Sequence, residues 1–307
     1  MLSPNVRHKS LKPLRIASGR LNATRLLLEG SLTQPSSSAA MGLHDGKAHP
    51  KAPWRDQLSS HLQQAPGYEF TVATVGHDAR GRAVPRVRTC GCRGFFPELK
   101  LHPSGQKDIV EQVEGSGNPK VYESDLLTFT TDVRMEKLHQ LDTSEDTIEA
   151  TFWLKDLMIQ WRVKGTALSI GSPSLDSKEE SHRKQIGDWL RFKEQTHRNQ
   201  NWTWDKAVTE YFANHSPVMR GSFKNPPPGQ PRSRIPETPE LKLGQKVNDL
   251  HDPVARANFR VVAIIPEETE LLDLSNPEDV RRRKWELHRD TNGNMIAEKW
   301  VETELWP

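Results

Sequence analysis

Cysteine is nearly missing from this chain, with only Cys90 and Cys92 in 307 residues. They lie two apart on one extended segment, where they share a face but their Cα atoms stand too far apart for a relaxed disulfide. No histidine neighbours them, so they also make a poor metal site. They read as small side chains facing a core or a flat ligand, in a reducing compartment. Long apolar runs are missing too: nothing approaches the ~20 residues of a membrane span. The 12 histidines never pair at His-x-x-x-His spacing with a carboxylate, which removes a common zinc signature. Gly115-Ser-Gly-Asn118 is not followed by Gly-Lys-Ser/Thr, and no Gly-x-Ser-x-Gly elbow occurs, so P-loop and nucleophile-elbow chemistry are set aside. Nor is there charge of one sign. With 43 basic and 40 acidic residues the net charge is +3, which argues against a nucleic-acid protein held by bulk charge.

Hydrophobic content is 34%, against the roughly 45–50% usual in globular domains, and there are 22 prolines. One packed core with long loops is the expectation. The N-terminus differs in kind. No acidic residue precedes Glu29, while Arg7, Lys9, Lys12, Arg15, Arg20 and Arg25 are spread among Leu, Ser and Ala. Residues 1–45 therefore read as a targeting leader of mitochondrial type or as a disordered, over-long start ahead of Met41. The protein is expected in the cytoplasm or the mitochondrion, with one domain over 50–307.

Trp54, Leu58 and Leu62 recur at helical spacing and predict a short opening helix. Phe70–Val75 and Ala83–Phe95 flank turn residues Gly76–Gly81 and predict a hairpin. A loop containing Ser104-Gly105 and Gly115–Pro119 leads to a strand over Asp125–Thr130. Arg134–Leu141 then reads as a helical turn or short helix. Thr147–Leu154 and Met158–Leu168 complete a five- or six-stranded antiparallel meander. A charged surface helix is expected around Ile186 and Trp189, and another over Asp205–Asn214. The Pro-rich loop around 225–245 excludes regular structure. Phe259–Ile265 is an unbroken apolar strand, expected to present a face that a second subunit covers, with Glu268–Leu274 as its hairpin partner. The alternating tail Lys299–Pro307 reads as a closing strand. Trp202 and Trp204 read as packing.

Two segments carry chemistry. Arg88-Thr-Cys-Gly-Cys-Arg93-Gly-Phe95 and Phe129-Thr-Thr-Asp-Val-Arg134-Met-Glu-Lys137 each bring cations to a strand end, the second with Thr130 and Thr131. Cations and hydroxyls converging there make a cradle for a phosphate. Gln160-Trp-Arg-Val-Lys-Gly165 adds a polar residue to an apolar strand. The order of these pieces, with Tyr211-Phe212, Ser216-Pro217 and the ending Trp300…Leu305-Trp-Pro307, resembles the pyridoxamine 5'-phosphate oxidase-like FMN-binding split barrels. The similarity is to the branch that binds FMN without being the vitamin B6 enzyme. It extends over roughly 53–307.

The resemblance implies a mainly β fold with flanking helices, a split β-barrel, with FMN bound at the seam of a homodimer. Arg88, Arg93 and Lys137 would neutralise the FMN phosphate, assisted by Thr130, Thr131 and Arg134. Gln160 would bond the polar edge of the isoalloxazine ring, and Arg282 would contact the flavin, from the same chain or from the partner. Arg88 and Arg93 are an odd number of residues apart and face opposite ways on a regular strand. Both reach one ligand only if a bulge or strand end separates them, with Gly91 and Gly94 as candidate places. Arg281-Arg-Arg-Lys284 itself reads as part of the flavin site, a solvated turn or a nucleic-acid patch.

Departures from the family pattern matter as much. Glu278 and Val280 stand where the vitamin enzyme has a substrate-binding Arg and His, and His215 or Ser216 replaces its substrate-phosphate Arg. A Glu repels an anionic substrate, so pyridoxamine 5'-phosphate is not expected to be oxidised. The function expected is a flavin-dependent oxidoreductase acting with a small-molecule redox partner, or a non-catalytic FMN-binding module for storage or sensing. No catalytic acid or base is nominated, and no nucleic acid, membrane or metal is implied.

Overall fold

The computed structural model describes residues 49–307 except 65, 66, 68, 175, 194–200, 237, 293 and 294. The leader expected over 1–45 lies outside the described residues. In chain order the strands are β1 Glu69–His77, β2 Ala83–Phe95, β3 Tyr122–Glu123, β4 Leu127–Asp132, β5 Thr147–Leu154, β6 Ile159–Ile170, β7 Arg191–Phe192, β8 Phe259–Asp273, β9 Arg281–Asn292 and β10 Met295–Leu305. The helices are α1 Arg55–Gln64, α2 Pro103–Gln112, α3 Glu136–Asp142, α4 Ser177–Asp188, α5 Trp204–Ala213, α6 Pro217–Gly221 and α7 Pro253–Asn258.

Period-2 patterning builds the barrel. Along β1, Phe70, Val72 and Thr74 are buried, and along β5 so are Ile148, Ala150, Phe152 and Leu154, with alternate residues more exposed. The strands pair antiparallel in the order β8-β4-β2-β1-β5-β6, and β6 returns to β8, so the sheet closes. Closure is possible because β8 is long. Its first half takes β4 on one edge, its second half takes β9 there, and β6 runs along the other. The β9–β10 hairpin thus departs from the barrel wall, which is the split expected from the sequence.

Phe70, Phe129, Phe152, Trp161, Val262 and Trp285 fill the interior. Outside it, Phe259, Val261, Ala263 and Ile265 of β8 pack with Ile186, Val208, Tyr211 and Phe212 of the helical layer. Both faces of β8 are therefore covered within one chain, which is why its sequence is continuously apolar rather than alternating. This corrects one sequence-based argument. Phe259–Ile265 does not present an apolar face that requires a second subunit. Trp202 and Trp204 pack around Phe96, as expected of structural aromatics.

Other expectations also change. Phe259–Ile265 and Glu268–Leu274 are not a hairpin; they are one strand running through Pro266. Pro266 reads as a break because it lacks an N–H, but the ladder shifts register opposite it, between Lys164 and Gly165. Gly165 permits that close approach, since a Cβ there would fall 1.9 Å from the Ile265 carbonyl oxygen. The segment around Ser104 forms helix α2 instead of a loop, started by a His102 cap and Pro103 at its first position. Arg281–Lys284 begins β9 and is not a turn. Arg281 pairs with Asp279, Arg282 with Glu270, and Lys284 with Glu286. No described helix is long and apolar enough to cross a membrane.

Candidate functional site

The candidate site forms where β4 ends. Asp132 closes the strand by accepting the Arg134 backbone N–H at 2.8 Å, and α3 starts at Glu136. Two adjacent threonines at a strand end followed by a helix bearing Lys137 in its first turn bring three polar side chains to one mouth. Thr130 and Thr131 point to opposite faces of β4, as neighbours on a strand must. Both still border the same cleft because it opens past the strand end. Its volume is 820 Å³, and Arg93, Lys137 and His215 also line it.

Lys137 is the buried cation of this cleft. It is 9% exposed, and its Nζ donates to Thr131 Oγ1 at 3.0 Å and lies 2.7 Å from Met135 Sδ. No carboxylate lies within ion-pair distance of it among the described residues. Burial, opposed in part by the neighbouring Cys90, lowers its pKa from the ordinary lysine value. A buried ammonium held by a hydroxyl and a thioether is costly unless an anion meets it.

Across the mouth, His215 follows the end of α5. Its Nδ1 sits 2.9 Å from the Tyr211 carbonyl oxygen, while Nε2 is 2.9 Å from Thr130 Oγ1 and 3.2 Å from Arg93 Nη2. Burial first, and then the Arg93 charge, push its pKa down to about 4, so the ring is neutral at pH 7. His215 entered the sequence reading only as a replacement for a family arginine. Its neutral ring is set by contacts with β2, β4 and α5.

The far wall comes from the Pro-rich segment, including Pro226, Pro228, Pro231 and Pro236. Segment 225–245 holds no helix or strand among its described residues. It is nonetheless pinned. Arg134 ion-pairs with Asp132 at 2.6 Å and donates to the carbonyls of Asn225 and Phe223, and Asn258 Nδ2 donates to the same Phe223 carbonyl.

Of the residues proposed from sequence, Arg93, Thr130, Thr131 and Lys137 come together at the cleft. Arg88 does not line it. The register shift in β2 falls between Cys92 and Phe95, at Gly94 with φ +80°, and so beyond Arg93 rather than between the two arginines. Arg88 therefore keeps the opposite face, donating to Thr74 Oγ1 at 2.7 Å and Gln140 Oε1 at 2.6 Å. Arg134 is engaged with Asp132 and the loop carbonyls. Gln160 on β6 and Arg282 on β9 lie on either side of Leu272 of β8. Arg282 holds Glu270 through two hydrogen bonds of 2.9 and 3.1 Å. Burial alone would raise the Glu270 pKa, but Arg282 and Arg162 outweigh it and keep the carboxyl below its usual range. On β8 the partner of Thr131 is Arg260 and the partner of Gln160 is Leu272. Twelve residues of strand at about 3.3 Å each separate those levels by a contour of roughly 40 Å.

Of the groups that line the cleft, the buried Lys137 ammonium, the Arg93 guanidinium and the Thr130 and Thr131 hydroxyls make a donor set that fits a phosphate monoester, with Arg232 and Arg234 as further cations on the Pro-rich wall. Comparison with known proteins agrees with that chemistry. Residues 51–171 match the family model for pyridoxamine 5'-phosphate oxidase, FMN-binding domain. Among curated proteins none matches this chain. A crystal structure of a pyridoxamine 5'-phosphate oxidase-related, FMN binding protein from Nostoc punctiforme PCC 73102 is similar at TM-score 0.52 and 21% identity, covering 84% of this chain and 100% of that one. PhzG from Burkholderia lata 383, in complex with tetrahydrophenazine-1-carboxylic acid, aligns at TM-score 0.40 and 14% identity over 85% of this chain and 100% of its own. Residues 51–171 therefore carry the FMN-binding domain of the pyridoxamine 5'-phosphate oxidase type, within a split barrel of that kind, and the cofactor is FMN.

Proposed function

We propose that the protein is an FMN-dependent oxidoreductase acting as a homodimer on a small-molecule substrate other than pyridoxamine 5'-phosphate. The observation that carries the phosphate assignment is Lys137, buried beside Thr131 with no carboxylate partner among the described residues. A terminal phosphate supplies the missing charge, with Thr130, Thr131 and Arg93 as further donors. When bound, FMN supplies the hydride and electron chemistry; the protein supplies position and electrostatics.

Gln160 and Arg282 belong to this reading only through a second copy. A contour of roughly 40 Å of strand separates them from Thr131 in one chain, and on this reading a flavin touching both sets lies between two protomers. Arg282 would then approach the ring edge from the partner chain, held in place by Glu270. The substrate reading rests on Glu278, which is exposed on the turn before β9 where an anion-binding arginine would be required.

Asp132 at the cleft is tied to Arg134, and His215 is hydrogen-bonded through both ring nitrogens. That scarcity of free acid–base groups favours chemistry confined to the flavin, and it equally suits a non-catalytic FMN-binding module. Anaerobic titration of the FMN-loaded protein with NADPH and NADH separates them. Bleaching of the flavin supports the enzyme, and no bleaching with either nicotinamide supports the module. Complementation tests the shared site. Mixing Lys137→Ala and Arg282→Ala chains should restore tight FMN binding to about a quarter of the sites when the chains assort at random, and no recovery would refute it.

A further inference from the structure

We propose that His215 is a further binding residue of the phosphate site, one that takes up a proton as a phosphate monoester docks and so turns Thr130 and Arg93 toward the ligand. This rests on the placement of the FMN phosphate at Thr130, Thr131 and Lys137. His215 is 5% exposed, and its Nδ1 lies 2.9 Å from the Tyr211 carbonyl oxygen. A carbonyl only accepts, so Nδ1 carries the proton and Nε2 of the neutral ring is an acceptor. Two donors address that nitrogen, Thr130 Oγ1 at 2.9 Å and Arg93 Nη2 at 3.2 Å.

A threonine hydroxyl has one proton. Thr130 therefore cannot donate to His215 and to a phosphate at the same time. Rotating the hydroxyl away would weaken the donor set of a buried ring nitrogen, a loss on the scale of a hydrogen bond. Protonation of Nε2 removes the conflict. The new N–H donates to Thr130 Oγ1, the hydroxyl proton turns out to the phosphate, and like-charge repulsion moves the Arg93 guanidinium off the ring toward the same anion. The only bond formed is N–H, with the proton taken from solvent.

The charges around the ring explain why it waits for an anion. Arg93 on β2 and Arg220 on α6 both oppose its protonation, and Arg220 is itself paired with Asp108 of α2 at 2.7 Å. Lys137, Arg232 and Arg234 are further cations lining the cleft. From α5 and β4 the facing groups, the Tyr211 carbonyl and the Thr130 hydroxyl, are neutral, and Phe223 and Phe259 pack edge-on. A phosphate dianion is the group that would reverse this balance.

The test is calorimetric titration of flavin-stripped, full-length protein with FMN and with riboflavin, in two buffers of different ionisation enthalpy. Between pH 7 and 8 the FMN phosphate is mostly dianionic, its second pKa being about 6. FMN should be bound with net proton uptake rising toward one per site as the pH falls, and riboflavin with none. In H215Q, whose amide donates without titrating, FMN should bind with that uptake abolished. Equal proton counts for FMN and riboflavin in the unmodified protein, or undiminished uptake in H215Q, would overturn the proposal. FMN affinity indifferent to Lys137→Ala would overturn the phosphate placement instead.

Discussion

Replacing Lys137 with Ala separates binding from folding, because the same side chain has opposite effects on the two. Its Nζ lies at the cleft beside Thr131, buried and without a carboxylate partner among the described residues. On the proposed reading it would make a charge-assisted hydrogen bond to the bound phosphate, a class worth about 1.5–3 kcal/mol. At 1.4 kcal/mol per factor of ten, FMN affinity should fall roughly 10- to 150-fold. Riboflavin, which has no phosphate, should bind the variant and the parent alike. The apoprotein is not expected to lose stability in proportion. Burial already lowers the Lys137 pKa, so removing the ammonium relieves a desolvation cost that offsets the packing lost. Lys137→Met, which keeps the stem, should leave the apo Tm unchanged or raised. Fluorescence quenching titrations with both flavins and thermal unfolding of the apo forms provide the measurements. Equal losses for FMN and riboflavin, accompanied by a drop in Tm, would mean that Lys137 acts through the fold and would refute the phosphate assignment.

The remaining expectations concern the frame around this cation. Arg134→Ala should weaken FMN and riboflavin by similar factors and lower stability by roughly 1.5–3 kcal/mol, because Arg134 fixes the Pro-rich wall rather than the phosphate; a selective loss of FMN would contradict this. The folded-state pKa of His215 is about 4 against an ordinary 6.5. The unfolded chain thus binds more protons between those values, and apoprotein stability should fall on acidification from pH 6.5 to 4, by about 3 kcal/mol in all. H215Q should flatten that limb of a denaturation-versus-pH curve, and an unchanged slope would assign it to other groups. Gly165→Ala should destabilise by about 3 kcal/mol or more, since its Cβ would meet the Ile265 carbonyl oxygen at 1.9 Å; urea unfolding with an unchanged midpoint would show that the β6–β8 contact yields.

What the sequence determined by itself was local. Phe70–Val75, a run of β-branched and apolar residues, and Thr147–Leu154 were legible as strands, because such side chains fit extended backbone wherever it lies. Thr130, Thr131 and Lys137 were legible as a unit, since a strand end and the first helical turn after it are close in sequence as well as in space. What only the tertiary structure decided were the long-range relations. Pro266 continues a strand because Gly165, a hundred residues away in sequence, allows the register to shift opposite it. The β2 irregularity falls at Gly94 and not at Gly91, which sends Arg93 to His215 and leaves Arg88 with Gln140. Two arginines in one motif thereby part company over the position of a single extra residue. His215 acquires its neutral, accepting ring from Tyr211, Thr130 and Arg93 on three different elements, and no local pattern encodes such a meeting. Periodicity is a property of the backbone and can be read along it; the face a side chain finally shares with distant partners is fixed only when the sheet closes.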